Sequence, residues 1–309
     1  MSKHVIVGSG PIGSSVARLL VERGESVRMV TRSGTGPEHP LIERIAADAA
    51  DADRLTELTR GAAVLYNCAN PKYTQWEALW PTLSGAMLTA AQRSGAVLAI
   101  TGNLYGYGPV PGGRMTEDTP LAATGRKGRV RIKMWQQAQA SGVRTVEVRG
   151  SDYVGAGASS VFSAVLLPAI VKGRTAWAPC DPDAPHSFTY TGDMARALVD
   201  LAGDDRAWGR AWHVPSAPAL SIRALAERYF AVSGAKPVPV RRLPRFVMRT
   251  AGVVVPMARE LAEMDYQFYA PFILDSSLTE RTFGLKATAL DVSLREVAAD
   301  VQSTMARTM

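Results

Sequence analysis

The chain has only two cysteines among its 309 residues, Cys68 and Cys180. Two thiols exclude a disulfide framework and a four-cysteine zinc site. Its four histidines, His4, His39, His186 and His213, show no metal-ligand spacing, so no metal is expected. Long apolar runs are also missing. The most apolar late stretch, "AGVVVPMA", is short and broken by Pro256, which argues against a membrane span. Lys3 and His4 lead straight into Val5-Ile6-Val7 without the pattern of a secretory signal. Together these absences predict a soluble, cytoplasmic protein. Acidic residues number 28 against 35 Lys and Arg, a net charge of +7. The basic bunches "RKGRVRIK" (Arg126 to Lys133) and "RRLPRFVMR" (Arg241 to Arg249) carry no interleaved aromatics and match no nucleic-acid-binding pattern. A small phosphate-bearing partner accounts for part of the excess without a nucleic acid.

What is present is ordinary globular composition, 47% apolar and 20% charged, on a chain long enough for a large α/β domain. Apolar runs that read as buried strands, "HVIVGS", "SVRMVTR", "AVLYNCA", "AVLAIT" and "RTVEVR", alternate with helical stretches. The helices are "PIGSSVARLLVERG", stopped by Gly24, then "WEALWPTLSGAMLTAAQRSG" and "RIKMWQQAQASG". Strand–helix–strand alternation predicts an α/β, Rossmann-type doubly wound parallel sheet. After residue 150 the alternation weakens into proline-rich loops ("WAPCDPDAP") and short helices ("DMARALVDLAG", "SIRALAERYFAVSG", "RELAEMDYQFY"). The expected organisation is a dinucleotide-binding domain over 1–155. Residues 156–309 would complete the sheet and form a smaller C-terminal substrate lobe.

Gly8, Gly10 and Gly13 form G-x-G-x-x-G between a strand and a helix. Gly8 permits the tight turn, Gly10 lets a pyrophosphate approach the backbone, and Gly13 lets helix pack on strand. With Ser9, Pro11 and Ile12 they make the expected phosphate cradle, facing the helix's free N–H groups. No Lys-Ser/Thr pair follows, which excludes a P-loop. The second strand ends in Thr31, Arg32 and Ser33, with no acid to hold the adenosine ribose. A guanidinium pairs with a 2′-phosphate through charge-assisted bonds, so NADP is expected in preference to NAD.

Several further stretches resemble the extended short-chain dehydrogenase/reductase superfamily, in its NAD-dependent epimerase/dehydratase branch. "ITGNLYGYGP" is similar to its "S/T-x-x-V-Y-G" segment, with Thr101 at the catalytic Ser/Thr place. "VEVRGSDYVGAG" resembles "R-P-x-x-V-Y-G-P-G", bringing in Arg149, Asp152, Tyr153 and Gly155. "HSFTYTGDMARAL" resembles "F-V-H-V-x-D-v-A", and "DSSLTERTFGLKATALDVSLREV" the C-terminal tail. The resemblance spans the chain and implies that Asn67, Ala69 and Asn70 run beneath the nicotinamide. It also implies Asp48 near the adenine, Asn103, Tyr153 and His186 towards the substrate, and a homodimer.

The departure is at the catalytic pair. The superfamily uses Tyr-x-x-x-Lys, yet no tyrosine here has a lysine four residues later. Lys133 lies a suitable distance beyond Thr101, but the place four residues before it is Arg129. A guanidinium does not deprotonate near neutral pH, so Arg129 would serve only as an anion anchor or oxyanion contact. Lys133 would hold the ribose, and Tyr105 is a candidate proton path beside Thr101. Cys68 reads as a small buried residue. The expectation is an NADP-dependent oxidoreductase passing hydride to a carbonyl or polarised alkene of a small organic substrate. Its alternatives are a sugar-nucleotide epimerase or dehydratase, and a non-catalytic NADP-binding sensor or scaffold.

Overall fold

The computed structural model describes residues 3–244, 260 and 263–308. The basic bunch beyond residue 244 and the "AGVVVPMA" stretch lie outside the described residues, as does most of the start of "RELAEMDYQFY". The chain divides into two compact units.

The first unit comprises Met1–Gly106, Arg126–Arg149 and Met194–Val214. Its strands are β1 (Lys3–Val7), β2 (Ser26–Thr31), β3 (Ile42–Ala46), β4 (Val64–Asn67), β5 (Val97–Asn103), β6 (Thr145–Gly150) and β7 (Ala211–His213). They form one parallel sheet in the order β7-β6-β5-β4-β1-β2-β3. The central strands are covered on both faces, which is why they read as unbroken apolar runs. Val5, Ile6, Leu65 and Ala99 have no exposed surface. Helices α1 (Pro11–Glu22), α2 (Ala52–Thr59), α3 (Trp76–Ser94), α4 (Arg126–Ala140) and α5 (Thr191–Ala202) supply the crossovers. In α1 the buried positions Val16, Ala17 and Leu20 form the stripe that packs on the sheet. The strand order reverses between β1 and β4, the switch point at whose carboxyl ends sheets of this kind bind their ligands.

Three elements were not expected. Strand β3 is the sheet's edge and is mostly exposed, so its sequence "IERIA" carries no apolar run. Helix α2 has eight residues, capped by Asp51, whose carboxylate accepts from the Arg54 N–H. Strand β7 has only three residues. Helix α4, expected from Arg131, begins instead at Arg126.

The second unit comprises Tyr107–Gly125, Gly150–Asp193 and Pro215–Met309. It contains three small parallel strand pairs: 152–154 with 188–190, 176–178 with 240–242, and 114–115 with 273–274. Its core gathers Phe162, Leu166, Leu225, Tyr229 and Leu294, drawn partly from α6 (Ile222–Ser233) and α7 (Leu290–Thr308). Asp193 closes this unit's polar contacts, accepting from both the N–H and the hydroxyl of Thr288 at 2.7 and 2.6 Å. Among the described residues, no helix is long and apolar enough to cross a membrane.

Candidate functional site

The three glycines that follow β1 answer to three different constraints. Gly8 has φ +101°, and a Cβ there would meet the Cys68 carbonyl oxygen at 2.6 Å. A Cβ on Gly13 would overlap the Gly8 carbonyl oxygen and stand 3.1 Å from the Cys68 Cβ. Those two residues are glycine because the protein's own packing requires it. Gly10 differs: it is extended (φ −66°, ψ −178°), and a Cβ there would meet nothing within 4 Å. No intramolecular constraint demands glycine at that point, whereas close approach of a diphosphate to the backbone does. Gly10 also caps α1 without a side-chain hydrogen bond, and Pro11 follows at the first helical positions. The helix end thus has no side chain of its own folded over it, and the residues present fit a dinucleotide.

Around this cradle, Ser14 Oγ donates to the Ser9 carbonyl at 2.9 Å, and Ile12 is half-buried. The hydroxyls of Ser9 and Ser33 each lie 3.2 Å from that of Thr35, while Thr31 donates to the Thr35 carbonyl at 3.2 Å. The loop after β2 is thereby stitched to the glycine turn. Arg32 and Ser33 are exposed on it. Asp48 is exposed, its carboxylate accepting from the Ala50 N–H at 2.9 Å, which shapes the turn before α2. Asn67 ends β4 and is buried, its side-chain oxygen accepting from the Ala69 N–H at 3.3 Å; Asn70 beyond it is exposed.

Thr101 sits near the end of β5, two strands from β1. Its hydroxyl donates to the Cys68 sulfur at 3.7 Å. Burial pushes the Cys68 thiol up to about 12, with the Thr101 hydrogen bond pulling the other way. A Cβ at Gly102 would come 2.7 Å from a carboxylate oxygen of Glu147, so any larger residue would displace that side chain. That carboxylate is itself buried and holds the Arg149 guanidinium at 2.6 and 2.8 Å. Asn103 turns its side-chain oxygen back to the Tyr105 N–H at 3.2 Å.

Arg129 and Lys133, the expected pair, are both exposed on α4. The buried face of α4 carries Lys127 and Arg131, 3% and 8% exposed, again at i, i+4 spacing. The Lys127 Nζ stands 4.3 Å from the centre of the Tyr73 ring. The Arg131 guanidinium packs against both Trp76 and Trp80, 4.7 Å from each ring centre, and Nη1 donates to the Thr101 carbonyl at 3.3 Å. Tyr73 donates its phenol to that of Tyr105 at 3.4 Å and meets the Trp76 ring edge-on. Tyr73, just before α3, and Trp76 and Trp80, in its first turns, thus meet the two cations of α4, and Tyr105, just after β5, packs against Tyr73 and Trp76. The sequence does signal this face. Met134, Trp135 and Ala138 are its apolar continuation, and counting back by helical periods from them reaches 131 and 127.

In the second unit, Tyr153 lies half-buried on the strand paired with 188–190. His186 is interior, stacked on Phe268 and Phe272 with ring centres 6.0 and 5.3 Å away. Its Nδ1 is 3.2 Å from the Gln267 carbonyl and its Nε2 is 3.7 Å from Asp152. Burial lowers the His186 pKa, against the pull of Asp152; burial also raises that of Asp152, against the pull of His186. Among the described residues no group of three or more His, Cys, Asp or Glu is placed to hold a metal.

A family profile, the NAD dependent epimerase/dehydratase family, matches residues 5–212. No curated protein sequence matches the chain. Similar solved structures include the Bordetella bronchiseptica enzyme WbmH in complex with NAD+, at 20% identity and a TM-score of 0.77, covering 98% of both chains. UDP-glucuronic acid 4-epimerase from Bacillus cereus, in complex with NAD, is similar at 14% identity and a TM-score of 0.79, over 98% of this chain and 99% of that one. UDP-glucose 4-epimerase from Thermotoga maritima, with UDP-glucose, has 15% identity, the same TM-score of 0.79 and the same two coverages. At such identities the likeness establishes the fold, while the family follows from the profile match over two-thirds of the chain. This chain belongs to the NAD dependent epimerase/dehydratase family.

Proposed function

We propose that the protein is a nicotinamide-dependent epimerase or dehydratase acting on a nucleotide sugar. This replaces the carbonyl or alkene reductase expected first; the family and the epimerases among its structural neighbours favour the alternative. The observation that carries the reading is Gly10, a glycine with open space where a side chain would be, at an uncapped helix end inside the matched region. A bound nicotinamide would supply the hydride acceptor and donor. The chain's part is to bind the diphosphate at Gly8 to Gly13 and to hold the reacting hydroxyl near Thr101.

Two finer assignments accompany it. Arg32 and Ser33, exposed where an acid would favour NAD, favour a 2′-phosphate and hence NADP. Asn103 and Tyr153 are kept for the substrate side, whereas the interior position of His186 favours a packing role.

The test is incubation with UDP-glucose, UDP-N-acetylglucosamine and UDP-glucuronic acid in the presence of NAD+ or NADP+, followed by proton NMR of the sugar. Conversion of one of them to an epimer or a dehydrated keto-sugar is expected. Reduction of simple carbonyls or enones by NADPH, with every UDP-sugar untouched, would return the assignment to a reductase.

A further inference from the structure

Two cations are costly to bury, and apolar residues of similar size at the same places are often as stable or more so. Lys127 and Arg131 are nonetheless nearly inaccessible, on the one face of α4 that meets the carboxyl end of β5. Their separation is that of the Tyr-x-x-x-Lys pair absent from the sequence. They differ from one another in chemistry. An amine exchanges its proton, but a guanidinium keeps its charge at every pH a protein survives.

We propose that Lys127 is the proton-transferring catalytic residue of this enzyme, with Arg131 as the fixed cation beside it and Tyr73 as a positioning residue. This rests on the epimerase or dehydratase reading given above. Relative to the usual pair the roles shift by one chemical type: an amine moves the proton where a phenol would, and a guanidinium stands where the lysine would. In the oxidising half of the reaction the substrate hydroxyl gives its proton to the unprotonated Lys127 Nζ. A bound oxidised nicotinamide would take up the hydride from the carbon bearing that hydroxyl as the C=O bond forms. The reverse step returns the hydride to carbon and the proton from the ammonium to oxygen, so charge and atoms balance over the cycle.

The geometry around Lys127 suits this cycle. The Tyr73 ring face, 4.3 Å away, stabilises the ammonium that forms after proton uptake. The Tyr73 phenol is held by that of Tyr105, which follows Asn103 directly after β5. Arg131 is committed elsewhere: packed against two indoles, it donates to the Thr101 carbonyl and so holds the strand end that presents the Thr101 hydroxyl.

The experiment uses the full chain and two readouts. The first is conversion of the UDP-sugar on which the wild type acts, measured as a pH–rate profile for Lys127→Met, Lys127→Arg, Tyr73→Phe and Tyr73→Leu. Lys127→Met should lose at least about 100-fold in turnover, and Lys127→Arg should not rescue it, because a guanidinium cannot release the proton. Tyr73→Leu, which removes the ring face, should displace the pH limb that belongs to Lys127, and Tyr73→Phe, which keeps the face but loses the hydrogen bond to Tyr105, should displace it less. Near-normal turnover in Lys127→Met or Lys127→Arg overturns the proposal, as does loss of turnover in Lys133→Ala while Lys127→Met stays active. The second readout is the nitrogen-15 resonance of the Lys127 Nζ in lysine-labelled protein, identified by its disappearance in Lys127→Arg. It should shift when NAD+ or NADP+ is added. If the wild type converts no UDP-sugar but this resonance shifts, the substrate reading fails and the placement of Lys127 at the reacting centre stands. If the resonance does not respond, that placement falls.

Discussion

The Thr101 hydroxyl lies 3.7 Å from the Cys68 sulfur, tying the end of β5 to the residue that follows β4. Burial pushes that thiol up to about 12, and the Cys180 thiol to about 12 as well. At neutral pH almost no thiolate exists at either position. Titration of the native protein with a chromogenic disulfide reagent should therefore register almost no fast-reacting thiol, and both should appear in denaturant. A rapidly reacting thiol in the native state would contradict the burial.

The contrast between Gly10 and Gly13 separates binding from folding. Gly10→Ala adds a methyl group to open space, so its cost in stability should be no more than about 1 kcal/mol, the scale of a lost helix cap. Its dinucleotide affinity should fall at least about tenfold, because the methyl occupies the space of the diphosphate. Gly13→Ala collides with the Gly8 carbonyl and should destabilise the fold by about 1–3 kcal/mol or more. Urea unfolding and dinucleotide titration of the same two variants check both halves.

Arg32 provides a direct test of cofactor choice. An ionic hydrogen bond to a 2′-phosphate contributes about 1.5–3 kcal/mol, so Arg32→Ala should weaken NADPH roughly tenfold to 100-fold. NADH affinity should stay where it was. Quenching of the six tryptophans reports both titrations, and equal effects on the two dinucleotides would remove Arg32 from 2′-phosphate recognition.

Acid should weaken the fold through the interior histidines. Burial lowers the pKa of both His186 and His4 below 6.5. Above 6.5 both folded and unfolded chains carry them neutral. As pH falls below that value the unfolded chain takes up protons that the folded chain refuses. Each therefore contributes a loss of up to about 1.4 kcal/mol per pH unit until its own folded pKa is reached. Asp152, raised above 3.8, acts in the opposite sense, its stabilising share being lost as pH rises through its folded value. His186→Gln should flatten the acid limb of stability measured by urea midpoints across pH. A limb parallel to wild type would show that His186 does not set it.

The elements legible in the sequence are those whose burial is uniform. Strands β1, β2, β4, β5 and β6 are apolar runs because the sheet is covered on both faces, and the turn after β1 is fixed by glycines with separate steric reasons. Strand β3 escaped notice because an exposed edge needs no apolar run. Helix α4 shows a different failure. The stretch read as helix begins at Arg131, yet the helix starts at Arg126 and takes in Gly128 at a propensity cost of about 1 kcal/mol. The Tyr-x-x-x-Lys pattern points to Lys133 and the place four before it, Arg129, whereas the buried face of the helix carries Lys127 and Arg131. The interior position of His186 depends on Phe268 and Phe272, more than 80 residues later, a separation that no local pattern encodes.

The two compact units are threaded through one another along the chain, which passes from one to the other five times. Strand β7, the last of the sheet, is residues 211–213, so the ribosome must release more than two-thirds of the chain before the sheet can close. A fragment ending at residue 155 would hold six of the seven strands but lack β7 and helix α5. No single cut in the gene yields either unit whole. Dissection of this enzyme must therefore proceed by point substitution.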